Sequence, residues 1–166
     1  SKQVHQYQLA LDNQPKAEEI IAQLGDVSTF DEYVFCGYGE PTLNLTTLLS
    51  VAAAIKSQGG KVRVNTDGLG NLFHRRNILP ELAQCVDSLS ISLNADSEAV
   101  YIQHCQPKLK AAYPALLEFI QQAPGYIKDV QVSAINGLAG VDIERCRHFV
   151  ETAGASFKQR ELGIVG

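Results

Sequence analysis

The residues with the clearest capacity for chemistry lie in one stretch, residues 33–43, which read YVFCGYGEPTL. An apolar run rich in strand-forming residues ends there in two glycines, a carboxylate and a proline. Glycine lacks a Cβ, so the backbone can approach a ligand closely, and Pro41 excludes Glu40 from the helical region. The pattern predicts a buried strand that holds the Glu40 carboxylate at an exposed turn. The alternative is a plain strand-to-helix turn in which the acid lies near a helix N-terminus.

The elements that would position this turn alternate between strand and helix. Strand-forming runs predict strands at residues 32–36, 61–65, 88–94, 129–135 and, closing the sheet, 156–160. Apolar residues at helical spacing predict helices over 17–24, after a cap at Thr42 or Asn44, after Asp96 or Ser97, from about 113, and after Asp142. Repeated βα units imply an α/β fold with a parallel sheet and outer helices. We expect a single domain over residues 1–166.

Polar and apolar residues alternate in three of the predicted strands. The polar sets are Ser88, Ser90, Ser92 and Asn94; Lys61, Arg63 and Asn65; and Gln131 and Ser133. A doubly wound sheet buries both faces, so its central strands should be continuously apolar. The alternation instead favours a partial, TIM-like barrel with helices outside and a polar interior that could hold a cofactor. A sheet with one face open to water is the alternative.

Ligands of parallel α/β proteins lie beyond the carboxyl ends of the strands. The residues that end or follow a predicted strand are Glu40, Asn65, Thr66, Asp67, Ser92, Asn94, Asn136 and Gly137. Arg63 shares the polar face, and its planar guanidinium could bind a ligand carboxylate through two hydrogen bonds. For each residue alone, a turn or a helix cap is the alternative role, because the same residue types favour both.

Composition sets limits on the class of protein. The chain has 166 residues and a formal net charge of -4, with a pI near 5.5. Nucleic-acid binding usually needs a clustered basic face, and residues 74–76 (HRR) form the only basic cluster of note. No apolar stretch approaches the roughly 20 residues that span a bilayer, and residues 1–5 do not start a signal peptide. We therefore expect a cytoplasmic protein that binds neither nucleic acid nor membrane.

The four cysteines lie tens of residues apart, at positions 36, 85, 105 and 146. This spacing does not form a metal-ligand set, and scattered cysteines are most often small buried residues. Cys36 and Cys146 fall on a predicted strand and helix, where a core position is ordinary. Cys105, in the segment His-Cys-Gln-Pro, is the one cysteine for which a functional role is worth testing.

The sequence also resembles a known family. The stretch Gly-Tyr-Gly-Glu-Pro-Thr-Leu resembles the G-G-E-P-type motif of radical S-adenosylmethionine enzymes. Further matching segments follow in the same order along nearly the whole chain: VNTDG at 64–68, NLFH at 71–74, LPEL at 79–82, SISLNA at 90–95 and NGLAGVD at 136–142. Together they resemble the TatD-associated subgroup of that superfamily.

This resemblance implies S-adenosylmethionine and a 4Fe-4S cluster as cofactors of the complete protein. Gly37, Tyr38, Gly39 and Glu40 would hold the ammonium of the methionine moiety; Asn65, Thr66, Asp67, Ser92 and Asn94 would serve its carboxylate and the ribose; Ile135, Asn136 and Gly137 would flank adenine. Where the family pattern has asparagine, this chain has Asp67, which changes a donor to an acceptor. We expect Glu40→Gln to weaken cofactor binding with little effect on stability. A TatD-type hydrolase is the partner that the resemblance implies.

One family feature lies outside this sequence. The superfamily carries a C-x-x-x-C-x-x-C loop that ligates the cluster, and the first cysteine here is Cys36, already in the Gly-Glu-Pro strand. We therefore expect a chain that begins downstream of that loop and lacks the first strand of the barrel. The strand at 33–36 would then be an exposed edge, covered by residues 1–11 or by a second copy in a dimer. As given, the chain should be iron-free and inactive.

Three functions remain open at this stage. The first is the core of a radical S-adenosylmethionine enzyme that in complete form would generate a 5′-deoxyadenosyl radical and act on an unknown substrate. The second is a cluster-less module that binds a nucleotide-like ligand or contacts another protein. The third is a barrel that binds phosphate through Gly137 and Gly140. A C-x-x-x-C-x-x-C encoded upstream of Ser1 would favour the first.

Overall fold

The computed structural model describes residues 3–4, 7–8, 14–37 and 39–163. Its strands are β1 (Gln3–Val4), β2 (Tyr7–Gln8), β3 (Tyr33–Phe35), β4 (Val62–Thr66), β5 (Ser88–Ser92), β6 (Asp129–Asn136) and β7 (Ser156–Glu161). Its α-helices are α1 (Ala17–Ile21), α2 (Leu45–Ser57), α3 (Gly70–His74), α4 (Leu79–Leu82), α5 (Glu98–Cys105), α6 (Ala112–Gln122) and α7 (Ile143–Thr152). Short 3-10 turns cover Val27–Thr29, Pro41–Asn44 and Ala123–Gly125.

Five strands form one parallel sheet in the order β3-β4-β5-β6-β7. Strands β1 and β2 pair with each other as a short antiparallel hairpin. Crossovers between neighbouring parallel strands are right-handed, so a strictly sequential order puts all the connecting helices on one face. The predicted α/β fold with a partial barrel and outer helices is confirmed, and the doubly wound alternative is wrong.

The core lies between the sheet and its helices. Every second residue of β4 to β6 is buried there, beginning with Val62, Leu89 and Val130. The helices contribute the largest fully buried side chains, among them Ile55, Leu82, Leu116 and Phe119. The apolar face of the strands, which repeats every second residue, therefore packs against the apolar faces of α2 and α6, as the sequence alternation predicts.

Most element boundaries agree with the sequence-based prediction, and the differences have local causes. The helix predicted over 17–24 ends earlier, at Ile21. Neither Thr42 nor Asn44 caps α2 through its side chain; a 3-10 turn precedes that helix, and Glu40 caps the turn by accepting from the Thr42 N–H. Asp142 does cap α7, accepting from the N–H groups of Glu144 and Arg145. In the described part of the chain, no helix is long and apolar enough to cross a membrane.

Candidate functional site

The Glu40 carboxylate joins the turn after β3 to the end of β4 through hydrogen bonds. We call this set of contacts, made with Thr42, Thr66 and the Asp67 N–H, the bracket. Glu40 Oε1 accepts hydrogen bonds from the Thr42 N–H (3.0 Å), the Thr42 hydroxyl (2.7 Å) and the Thr66 hydroxyl (2.8 Å). Its Oε2 accepts from the Asp67 N–H at 2.7 Å. A carboxylate has about four acceptor positions, so the chain itself uses most of them. Glu40 was predicted at an exposed turn; in the structure it is half-buried and already hydrogen bonded, and its contact with a ligand ammonium stays a prediction.

The groups around this bracket are buried and closely packed. Thr42 and Thr66 are 0% and 5% exposed, and the Thr66 hydroxyl also accepts from the Gly68 N–H at 3.0 Å. Gly68 has a φ of +77°, and a Cβ there would come within 2.5 Å of Leu116 Cδ1. A Cβ on Gly70 would lie 2.6 Å from Ile78 Cδ1 and 3.0 Å from Thr42 Oγ1. The "D-G-L-G" segment after β4 therefore needs both glycines to pack against the bracket.

Asp67 lies beside the bracket at the carboxyl end of β4. Its Oδ1 accepts from the Leu69 N–H at 2.9 Å. Desolvation, together with the nearby Glu40 carboxylate, raises the pKa of Asp67 to about 6. The residue as a whole is exposed, so water moderates this effect. In its protonated form the carboxyl offers an O–H donor as well as an acceptor.

A cavity of about 570 Å³ opens at the carboxyl ends of β4 and β5, and we call it the rim cavity. It is lined by Leu43, Asp67, Leu69, Phe73, Ser92, Asn94, Tyr101 and residues 105–109. Asn94 has a φ of +53°, which asparagine tolerates better than most residues, and its Oδ1 is buried without a hydrogen-bond partner in the described part of the chain. A buried unpaired acceptor is costly, so Asn94 is a site where a ligand donor would be favourable.

The sequence reasoning missed most of the apolar wall of this cavity. Leu43, Phe73 and Leu109 are 47%, 46% and 37% exposed, which is unusual for large apolar side chains. Tyr101 and the segment 105–109, which links α5 to α6, complete the wall. Only Cys105 was singled out from the sequence, and Asp67, Ser92 and Asn94 are the predicted site residues that the structure brings together here.

A second cavity, the lumen groove, runs along the polar face of the sheet and measures about 550 Å³. It is lined by Glu32, Val34, Arg63, Asn65, Ser90, Ser92, Gln131, Ser133, Lys158 and Arg160. Arg63 Nε donates to Glu32 at 2.9 Å and Nη1 donates to the Ser90 hydroxyl at 3.1 Å, while Asp129 lies 3.6 Å away. The hydrogen bond with Glu32 raises the pKa of Arg63. The guanidinium predicted to meet a ligand carboxylate is thus already paired with the protein's own acid.

The remaining predicted site residues lie apart from the rim cavity. Gly37, Gly39 and Glu40 line a third cavity of about 490 Å³ beside the edge strand β3. Asn65 faces the lumen groove. At the end of β6, Asn136 donates to Glu161 at 3.0 Å, Ile135 is half-buried and Gly137 makes a turn with φ +87°. Tyr38 lies outside the described residues, as do most of residues 1–11 that were expected to cover the edge.

The cysteines do not form a cluster site. All four are free; Cys85 and Cys146 are buried, and burial raises the pKa of Cys146 to about 12. Cys36 and Cys105 are exposed, so the prediction of a core position for Cys36 is wrong: Cys36 directly follows β3, which among the described strands pairs only with β4 and so forms an edge of the sheet. Among the described residues, no group of three or more His, Cys, Asp or Glu side chains is placed to hold a metal ion. The described residues therefore do not fit a 4Fe-4S cluster.

Comparison with known proteins identifies a shared fold. No family model and no curated protein matches the sequence. The structure is similar to TYW1 with a lysine-pyruvate adduct bound, with a TM-score of 0.61 and 19% identity over 90% of this chain and 55% of that one. It is also similar to archaeal TYW1, with a TM-score of 0.60 and 17% identity over 93% of this chain and 60% of that one.

A domain of the pyruvate-formate lyase-activating enzyme from Bacteroides vulgatus is more distant, with a TM-score of 0.48, 15% identity, and coverage of 76% of this chain and 97% of the domain. The chain thus has the parallel α/β fold of TYW1 and spans somewhat more than half the length of the two TYW1 structures. At these identities the likeness concerns the fold alone.

Proposed function

We propose that this chain is the S-adenosylmethionine-binding core of a radical S-adenosylmethionine enzyme. The observation that carries the proposal is the buried, unpaired Oδ1 of Asn94 in a cavity at the carboxyl ends of the strands. The fold shared with TYW1 and the order of the sequence motifs support it. The motifs also support the TatD-associated subgroup, and with it a TatD-type hydrolase as partner and a cytoplasmic location.

The residues of the rim cavity suit the nucleoside part of the cofactor. Asn94 Oδ1 and the Asp67 carboxylate are acceptors for ribose hydroxyls, and the Ser92 hydroxyl can both donate and accept. The apolar wall formed by Leu43, Leu69 and Phe73 can pack against a planar base, as ligand cavities usually combine apolar walls with a few polar groups. When it is bound beside a reduced iron-sulfur cluster, S-adenosylmethionine supplies hydrogen-abstraction chemistry.

The residues near Glu40 would contribute through the backbone more than through the acid. The carboxylate is engaged by Thr42, Thr66 and the Asp67 N–H, and one position on Oε2 remains for a further donor. Its principal work is to hold the β3 turn against the end of β4. The carbonyl and N–H groups at Gly37 and Gly39 border the cavity beside it and are the groups through which this turn would meet an ammonium.

The proposal concerns binding and positioning, since the 166 residues contain no C-x-x-x-C-x-x-C and the described cysteines do not converge. A second candidate function is a cluster-less module that binds a nucleoside, because the polar groups and apolar wall of the rim cavity suit a ribose and a base whether or not a cluster is present. The two candidates predict different ligand preferences. The enzyme core should select S-adenosylmethionine and S-adenosylhomocysteine, whereas the cluster-less module should also bind other adenine nucleosides.

Isothermal titration calorimetry with S-adenosylmethionine and S-adenosylhomocysteine tests the proposal. We expect saturable binding that Asn94→Gly weakens about fivefold, because one hydrogen bond contributes roughly 1 kcal/mol. Glycine tolerates the positive φ at this position, so the variant should keep its fold. Asn44→Ala is the matched control, since the Asn44 side chain bonds Gln14 alone among the described residues and lies outside the rim cavity.

Two results would contradict the enzyme proposal. Absence of saturable binding for both compounds would remove the rim cavity as a cofactor site. Equal affinity for adenosine, ATP and S-adenosylmethionine would assign the chain to the cluster-less module.

A further inference from the structure

The lumen groove has a charge opposite to that of the whole protein. Its lining contains three cations, Arg63, Lys158 and Arg160, and one acid, Glu32. The formal net charge of the chain is -4. An excess of one sign of charge in a cleft walled by protein attracts ions of the other sign. With three cations against Glu32 and the adjacent Asp129, the lumen groove favours an anion.

The cations of the groove fall into two groups. At the β3–β4 end, Arg63 is hydrogen bonded to Glu32 and Ser90 and faces Asp129. At the β6–β7 end, neither Lys158 nor Arg160 has an ion pair or a side-chain hydrogen bond with any described residue. The hydroxyls of Ser92 and Ser133 also have no partner there. Unused donors are thus collected at one end of the groove.

The strand register explains how these donors meet. Ser92 of β5 pairs with Ser133 of β6, which pairs with Lys158 of β7, so the three residues form one row across the sheet. Neighbouring strands lie about 4.8 Å apart. Arg160 lies two residues beyond Lys158 on the same face, about 6.6 Å further along β7. Two hydroxyls, an ammonium and a guanidinium are therefore presented on one face of the groove by three adjacent strands.

Protection of a sheet edge does not account for this set. Charged residues commonly guard edge strands, and β7 is an edge. However, the neighbouring Phe157 packs under Arg147 and Gln159 bonds Arg147 and Glu161, so the alternate residues of β7 are engaged elsewhere. Edge protection also gives no reason for the Ser92 and Ser133 hydroxyls on the interior strands β5 and β6, which have no protein partner among the described residues and could donate to a bound anion.

We propose that Lys158, Arg160, Ser133 and Ser92 form a binding site for an anionic oxygen group, carboxylate or phosphate, of the substrate. The assignment to a substrate rests on the proposed function. Ser92 lines both the lumen groove and the rim cavity, and Lys158 lies two strands away from it, so an anion held at Lys158 would be roughly 10 Å from the nucleoside position. The site thus selects substrates with at least one carboxylate or phosphate group and fixes their orientation toward the cofactor.

Titration with inorganic phosphate and with succinate, followed by NMR at constant ionic strength, tests the site in this chain. We expect saturable shifts of the Ser133 and Lys158 amides, and a dissociation constant about tenfold higher in Lys158→Ala, since a charge-assisted hydrogen bond is lost. Lys128→Ala is the matched control, an exposed lysine outside the groove. Lys158→Gln keeps most of the side chain without its charge and should show the same loss if packing is not its cause.

Three results would overturn the proposal: no saturable shifts with either anion, an equal loss in Lys128→Ala, or full binding in Lys158→Gln. The source of the anion is distinguished by competition. If S-adenosylmethionine displaces phosphate and decarboxylated S-adenosylmethionine does not, the cofactor's own carboxylate occupies the site and the substrate assignment is wrong.

Different experimental results would contradict the proposed function and the anion site. Phosphate binding that depends on Lys158 without S-adenosylmethionine binding would leave the anion site and remove the cofactor assignment. Cofactor binding that Asn94→Gly weakens, with no phosphate binding, would leave the proposed function and remove the anion site.

Discussion

Two polar regions at the same face and rim of the sheet differ in how far the protein satisfies them. At the ends of β3 and β4, Glu40 accepts four hydrogen bonds from the chain itself. Across β5 to β7, the side chains of Ser133, Lys158 and Arg160 have no partner among the described residues. Both regions consist of residues that could bind a ligand. The residue types therefore do not distinguish the two regions. What distinguishes the structural region around Glu40 (the structural corner) from the proposed binding surface is whether the polar groups already have hydrogen-bond partners in the protein.

The largest expected effect tests the structural corner. Glu40→Ala removes four acceptor contacts and leaves the buried hydroxyls of Thr42 and Thr66 without their partner. We expect a loss of about 3 kcal/mol in the free energy of unfolding, because unpaired buried polar groups are costly. Urea denaturation followed by circular dichroism measures it. Glu151→Ala, at an exposed helical position, is the control, and an equal small change in both variants would show that the bracket is not structural.

A smaller loss is expected when one donor of the bracket is removed. Thr66→Val keeps the shape of the side chain but removes the hydroxyl that donates to Glu40 and accepts from the Gly68 N–H. We expect about 2 kcal/mol of destabilisation. The same change at Thr46, an exposed helical position, should cost only a few tenths of a kcal/mol, in line with helix propensity. Similar losses at both positions would place the effect outside the bracket.

Asp67 should make stability depend on pH. Its folded pKa of about 6 lies above the ordinary value of 3.8, so between these values the folded state binds more protons than the unfolded state. Stability should therefore fall as pH rises from about 4 to 6, and Asp67→Asn should remove that fall. Because the residue is exposed, we expect an advantage of only about 1 kcal/mol for the variant above pH 6. The measurement is the free energy of unfolding of the wild-type chain and of Asp67→Asn across this range. If it changed with pH in the same way in both, the assignment would be wrong.

The smallest expected effect on stability is that of a substitution at Lys158 in the lumen groove. Lys158→Ala should change the free energy of unfolding by no more than about 0.5 kcal/mol, since the ammonium makes no contact that folding depends on. The same variant should lose most of its phosphate binding. A stability loss comparable to that of Glu40→Ala would show that Lys158 is structural and would erase the contrast between the two regions.

The general plan of the fold follows from the sequence, because periodicity reports burial directly. Alternation in residues 61–65 and 88–94 predicted a sheet with helices on one face, and β4 and β5 have that pattern. The role of Glu40 was not predictable in the same way. One of its donors, Thr66, lies 26 residues away in the chain, and only the pairing of β3 with β4 brings the two together. Cys36 was misjudged because a core position was assigned from its place at the end of an apolar run, although the same strand was expected at the edge of the sheet.

The binding residues were only partly visible in the sequence. Asp67, Ser92 and Asn94 were expected at strand ends and do share a cavity. The unpaired state of Asn94 depends on packing and has no sequence signal. Lys158 and Arg160 did have one: two cations with a spacing of two in a predicted strand must share a face. Their meaning needed the register, which aligns them with the serines of β5 and β6.

The sequential strand order also determines where the molecule should resist opening. Each strand of the main sheet pairs only with the strands that precede and follow it in the chain, so β5 lies in the middle and β3 and β7 lie at the ends. Amide hydrogen exchange should accordingly be slowest in β5 and fastest toward both edges. The three-residue edge strand β3 would open first, but the bonds from Glu40 to Thr66 and Asp67 fasten its turn to β4. The glycine turn is thereby held in place by a side chain where backbone pairing is weakest.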